Sequence, residues 1–120
     1  MVILDANAIL RYILHDIPHQ AEITAETILS AETLVLPEVI AEVVYVLNKR
    51  YKLPRETISG VICNVLDDTK CNDMIIREGV RVFGVTNFDF VDCLLFARSK
   101  SNKVLTFDRK LIDLIERGSV

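Results

Sequence analysis

Val2-Ile3-Leu4, closed by Asp5, is the stretch that most restricts the fold of this chain. An unbroken apolar run is the mark of a strand buried on both faces of a parallel sheet, where alternation of polar and apolar residues would be self-defeating. Because the run stops at an aspartate, a carboxylate stands at the carboxyl end of that strand. In open α/β sheets the ligand crevice lies along that edge. A second run, Lys103–Phe107, is built the same way and also ends in an aspartate, Asp108. Two such strands in one chain call for crossover connections, and the residues between them supply the helices.

Helical periodicity begins at once. Ile9, Leu10, Ile13 and Leu14 form one apolar stripe over Ala8 to Leu14, with Asn7 placed to cap the helix. His15-Asp16-Ile17-Pro18 breaks it, and a second helix is expected from Pro18 to Ala31, Pro18 being acceptable in the first turn. Thr33–Leu36 reads as a short strand ended by Pro37. Further helices are expected over Glu38–Tyr51, Pro54–Leu66, Ile75–Phe83 with Gly84 as its cap, Asn87–Ser99, and Arg109–Arg117 closed by Gly118. Lys70-Cys71-Asn72 is expected to hold an edge strand. Strands alternating with helices imply right-handed βαβ units. The expected architecture is a three-layer α/β/α sandwich around a central parallel sheet of about four or five strands.

The 120 residues suit one domain, and 51% hydrophobic content allows a core without disulfides or a structural metal. A formal charge of −3 argues against gripping nucleic acid by bulk positive charge. It does not argue against a nuclease, whose acidic site lowers the net charge. Cys63, Cys71 and Cys93 are odd in number, lie among apolar residues and lack zinc spacing, as expected of reduced thiols in the cytoplasm. Asp5 interrupts the only N-terminal apolar run, so no signal peptide is expected. No stretch reaches the roughly 18 apolar residues of a membrane span.

The chemistry rests on acids in unlikely places. Asp5 and Asp108 end two strands and reach the same sheet edge if those strands are parallel neighbours. Glu42 lies in Val39-Ile40-Ala41-Glu42-Val43-Val44, and Asp92 in Phe90-Val91-Asp92-Cys93-Leu94-Leu95. Such acids are seldom surrounded by apolar sequence without a partner. One turn away stand Glu38 and Val46 for Glu42, and Asp89 and Phe96 for Asp92, none of them basic. Taken singly, Asp108 reads as a helix cap, Glu42 as a solvated position, and Glu38 and Asp89 as helix caps or first-turn acids favoured by the helix dipole. Taken together, they repel: two carboxylates about 4 Å apart cost roughly 4 kcal/mol at an effective dielectric near 20. A divalent cation removes that cost, and an all-oxygen donor set selects Mg²⁺ or Mn²⁺ over Zn²⁺. Such an ion can activate a water for attack at phosphorus, with a second ion stabilising the leaving oxygen. Thr106, two residues before Asp108, is placed to hydrogen-bond the carboxylates or a water. His15 and His19 flank Pro18 in a solvated loop. Lys100, Lys103, Arg109 and Lys110 form either a solvated face or a rim for phosphates.

These segments resemble the PIN-domain ribonucleases, in particular the VapC-type toxins of toxin–antitoxin pairs. The resemblance is carried by Val2–Leu10 (VILDANAIL), Leu36–Leu47 (LPEVIAEVVYVL), Phe90–Ala97 (FVDCLLFA) and Leu105–Lys110 (LTFDRK), in that order and across nearly the whole chain. It implies a single PIN-like domain over residues 1–120. It implies that Asp5, Glu42, Asp92 and Asp108 form an acidic quartet binding Mg²⁺ or Mn²⁺, with Asn7 as the polar residue often described beside the first acid. It also implies endoribonuclease activity on single-stranded RNA, a homodimer, and inhibition by a cognate antitoxin. The chain departs from the family's habit at Ala6, where Thr or Ser commonly follows the aspartate.

Three rival readings remain. A PIN nuclease of RNA processing or decay differs from a toxin only in its partner. A phosphatase using Asp5 as covalent nucleophile needs a proton donor two residues on, for which Asn7 is poorly suited. A non-catalytic α/β binding module would keep the same acids as helix caps.

Overall fold

The computed structural model describes all 120 residues. In chain order the elements are β1 (Val2–Ile3), α1 (Ala6–Leu14), α2 (Pro18–Ser30), β2 (Thr33–Leu34), α3 (Pro37–Lys49), α4 (Arg55–Asp68), α5 (Met74–Val85), α6 (Phe90–Arg98) and α7 (Arg109–Arg117). The strands β1 and β2 pair in parallel, Val2 opposite Thr33 and Ile3 opposite Leu34, with α1 and α2 forming the crossover between them. The fold is α/β, but helix dominates it. No helix is long and apolar enough to cross a membrane.

Local chemistry accounts for most helix ends. The α1 helix stops where His15 turns into the left-handed region (φ 52°), its N–H bonding back to the Arg11 carbonyl. Pro18 and Pro37 stand at the starts of α2 and α3, where a missing N–H costs nothing. Gly118 closes α7 at φ 76°, a conformation in which a side chain would clash. The expected cap at Gly84 is a correction: α5 runs on through Val85, and the Thr86 hydroxyl donates to the Val82 carbonyl at its end. Gly84 serves packing instead. A Cβ there would stand 2.7 Å from the Cβ of Ser59 on α4. Gly79 plays the same part toward α6, since its missing Cβ leaves room for the Leu94 side chain.

The core is built by helices. A cluster of 21 buried residues is centred on Ile40, Val43 and Leu47 of α3, Ile62 of α4, Ile76 of α5 and Phe96 of α6. Arg55 pins the start of α4 to the turn before α6: its guanidinium lies 3.7 Å from the Phe83 ring centroid and donates to the carbonyls of Phe83 and Phe88. Cys93 is fully buried, and Cys63 and Cys71 are half-buried; all three are free thiols. Burial pushes the Cys93 thiol up to about 11, which leaves it protonated and unreactive at neutral pH.

The sheet is the main departure from expectation. It has two strands where four or five are expected. Lys70-Cys71-Asn72 is not an edge strand: Lys70 is left-handed (φ 56°), and the Cys71 carbonyl is satisfied by the Arg77 guanidinium at 2.8 Å rather than by a neighbouring strand. Lys103–Phe107 is not a strand either. It lies off the sheet with Leu105 87% and Phe107 91% exposed. These two apolar side chains take no part in the core cluster.

Tyr12 links α1 to α4 by donating its hydroxyl to Asp68 Oδ2 at 2.6 Å. That hydrogen bond, with burial and the Asp68 charge behind it, pushes the phenol from 10.0 to about 12. The neutral phenol is the form favoured by folding, so the contribution to stability is complete below pH 10 and lost as pH rises toward about 12. Tyr12→Phe is expected to cost about 1 kcal/mol at pH 7. Urea midpoints of the two proteins should converge as pH is raised through that window.

Candidate acidic site

Asp5 lies between β1 and α1 and caps the helix, its Oδ1 accepting the Ala8 N–H at 2.8 Å. This corrects the expected cap: Asn7 is the second residue of α1 and is exposed, because the helix begins two residues earlier than its apolar stripe suggests. Asp108 caps α7 in the same way, Oδ1 accepting from the N–H groups of Lys110 (2.9 Å) and Leu111 (3.3 Å). Thr106 steadies that cap, its hydroxyl accepting the Asp108 N–H at 3.1 Å. Each cap employs one carboxylate oxygen and places the acid at the positive end of a helix.

Glu42 is exposed in the middle of α3, on the face opposite the buried Ile40, Val43, Val44 and Leu47. Asp92 is different. It sits half-buried in the first turn of α6 between Val91 and the fully buried Cys93. Its carboxyl is held above the usual carboxylate range, first by burial, then by the charges of Asp89 and Asp108. The chain's ion pairs are Arg11 with Asp16, Arg77 with Asp67 and Arg81 with Glu78, so Asp92 has no cation of its own.

The structure thus brings Asp92 within electrostatic reach of Asp108 and adds Asp89, which stands at the cap position of α6 without making a cap hydrogen bond. Asp89 reads from sequence as a cap or first-turn acid; its spacing three residues before Asp92 is the signal of its effect on that carboxyl. Asp5 and Glu42 are not among the charges acting on Asp92. No three His, Cys, Asp or Glu side chains stand together as a group able to hold a metal ion. The donor types suit Mg²⁺ or Mn²⁺, but the side chains as placed do not form its site.

Of the expected basic rim, Lys100 is engaged elsewhere. Its ammonium donates to the Gly118 carbonyl and lies 4.5 Å from the Phe96 ring centroid, tying α6 to the end of α7. Lys103, Arg109 and Lys110 are exposed, as are His15 and His19.

Asp5 thus follows the first strand, and further acids stand on α3, on α6 and at the start of α7. The PIN-domain family model matches residues 2–116, and the chain belongs to that family. Among characterised proteins it is similar to a VapC ribonuclease of Aquifex aeolicus (strain VF5), with 35% identity over 86 residues, covering 66% of this chain and 64% of the relative. The chain therefore matches somewhat less than two thirds of that relative's length. No solved structure matches at a significant level.

Proposed function

We propose that this chain is a divalent-cation-dependent endoribonuclease that hydrolyses phosphodiester bonds of single-stranded RNA, and that it is the toxin of a type II toxin–antitoxin pair. In this reading residues 1–120 act as one PIN-like domain in the cytoplasm, as a homodimer held in check by a cognate antitoxin. Asp5, Glu42, Asp92 and Asp108 are the carboxylates for Mg²⁺ or Mn²⁺, with Asn7 and Thr106 in support.

The observation that carries the reading is Asp92. A half-buried carboxylate under the charges of Asp89 and Asp108, with no ion-pair partner, is the kind of perturbed acid that clusters at functional sites. Family membership and the likeness to a protein named as a VapC ribonuclease support the nuclease class. Thr106 and the α7 cap fix the orientation of Asp108, whose charge acts on Asp92, and this supports placing the two in one site.

The test is cleavage of a structured RNA by the purified chain with Mg²⁺, Mn²⁺ or EDTA. Cutting with either cation and none in EDTA is expected, together with a rise in melting temperature on adding the cation. Saturation at a hundred times the dissociation constant stabilises a folded protein by about 2.7 kcal/mol. No cutting and no thermal shift would leave the acids as helix caps of a binding module.

A further inference from the structure

Along α3 the exposed residues are Glu38, Glu42, Tyr45 and Lys49. Their three- and four-residue spacing stacks them in one stripe, opposite the buried Ile40, Val43, Val44 and Leu47. We infer that this stripe and the turn after it are the track for the RNA strand: Tyr45 stacks on a base beside Glu42, and Lys49, Arg50 and Lys52 hold the phosphates that follow. This rests on the ribonuclease reading above, and not on where a cation is held.

Three observations carry it. The first is charge. Lys49, Arg50 and Lys52 are exposed, and none belongs to an ion pair of the chain. The helix dipole accounts for Lys49 in the last turn of α3. It does not call for three cations within four residues of a chain whose net charge is −3. The second is exposed aromatic surface. Two of the chain's three tyrosines stand here, Tyr45 62% and Tyr51 46% exposed. Rings set among cations are what a single strand of nucleic acid binds, since any base can stack on a ring while the backbone meets the charge. The third is length. Glu42 and Lys49 are seven residues apart, about 10 Å along a helix. Three nucleotides of a stacked strand, at about 3.4 Å each, span the same distance.

The turn that presents the cations is held in place. The Tyr51 N–H bonds to the Val46 carbonyl at 3.3 Å and the Leu53 N–H to the Leu47 carbonyl at 3.1 Å. The Asn48 amide reaches the Leu53 carbonyl at 3.5 Å, and Lys52 takes the left-handed region (φ 53°). A fixed backbone leaves only side-chain rotamers to be ordered on binding, which lowers the cost. Stacking on Tyr45 needs an unpaired base, so a duplex with its bases stacked inside cannot use the ring. Glu38 and Glu42 repel phosphates, so without a cation the attraction has to come from the Tyr45–Lys52 half of the track.

The test is binding of a fluorescein-labelled unstructured RNA to the purified chain in EDTA, where cleavage is not expected, with Kd read from anisotropy. Tyr45→Ala is expected to weaken binding about tenfold, and Tyr45→Phe to bind as the parent does. On a strand of the same length that lacks bases, parent and Tyr45→Ala should bind alike. The triple variant Lys49→Gln, Arg50→Gln, Lys52→Gln should lower the slope of log Kd against log salt by about 2, at roughly 0.7 for each phosphate contact on a single strand. All these side chains are exposed, so melting temperatures should match the parent's. Parent-like binding by Tyr45→Ala or by the triple variant, in a chain that cuts RNA, would overturn the track and leave the ribonuclease reading standing. So would a parent that cuts RNA without binding it in EDTA, or an equal loss of duplex binding in Tyr45→Ala. A changed oligomeric state of the variants in light scattering would also overturn it, giving the stripe to a second copy. A parent that neither binds nor cuts RNA would overturn both.

Discussion

Asp92→Asn is expected to reduce RNA cleavage by at least about 100-fold while leaving the folded protein as stable as the parent, or more so, in cation-free buffer. Loss of partners that merely orient metal ligands costs about 10- to 100-fold, and a carboxylate that itself holds the cation sets that as a lower bound. The stability arm follows from the raised carboxyl. Folding disfavours the ionised form of Asp92, so the parent is penalised at neutral pH. The penalty fades as pH falls and the carboxyl protonates. Melting temperatures in EDTA should therefore favour the Asn variant at pH 7, and the difference should shrink as pH falls and the raised Asp92 carboxyl protonates. Mg²⁺ should raise the melting temperature of the parent and leave the variant unmoved. A variant that is less stable at pH 7 and still cuts RNA would show that Asp92 is structural. Gaining stability while losing activity is the usual signature of a strained site.

Phe96→Ala is expected to cost about 3–5 kcal/mol, among the largest effects of any single truncation in this chain. Phe96 is completely buried on α6, the helix that carries Asp92, and α6 packs against α3, α5 and α7. The Lys100 ammonium also lies over the Phe96 ring. Truncation leaves a cavity that three neighbouring helices cannot close together. For a domain of this size the melting temperature should fall by on the order of 10–20 °C. Denaturant unfolding gives the free energy directly, and a cost under about 1.5 kcal/mol would mean that the site relaxes to fill the void. Activity at low temperature should persist in whatever fraction remains folded, which separates this variant from Asp92→Asn.

The caps show how far local chemistry reaches. Asp108 is legible as a cap from its position between an apolar run and a helical stripe, and the structure places it there. Asp5 and Asn7 show the limit of the same argument. Both are good capping residues two apart, and only the actual start of α1 decides that Asp5 makes the bond. Gly84 is a sound helix stop by composition, but the need to fit Ser59 of α4 against α5 overrides it. Asp92 stands out in sequence because its surroundings are apolar, and it is the acid whose carboxyl burial raises.

What the amino-acid order determined by itself is the set of elements whose bonds close within a turn. These are the proline-led starts of α2 and α3, the apolar stripes of the helices, and the Asp108 and Gly118 ends of α7. Each depends on residues three or four apart, so a short window contains all the information. Tertiary structure alone decided that β1 pairs only with β2, that Lys103–Phe107 stays off the sheet, and that Asp92 feels Asp108 rather than Asp5. Strand pairing and charge proximity join residues from distant parts of the chain. Their outcome is set by competition among packing faces and repulsions that no local pattern records.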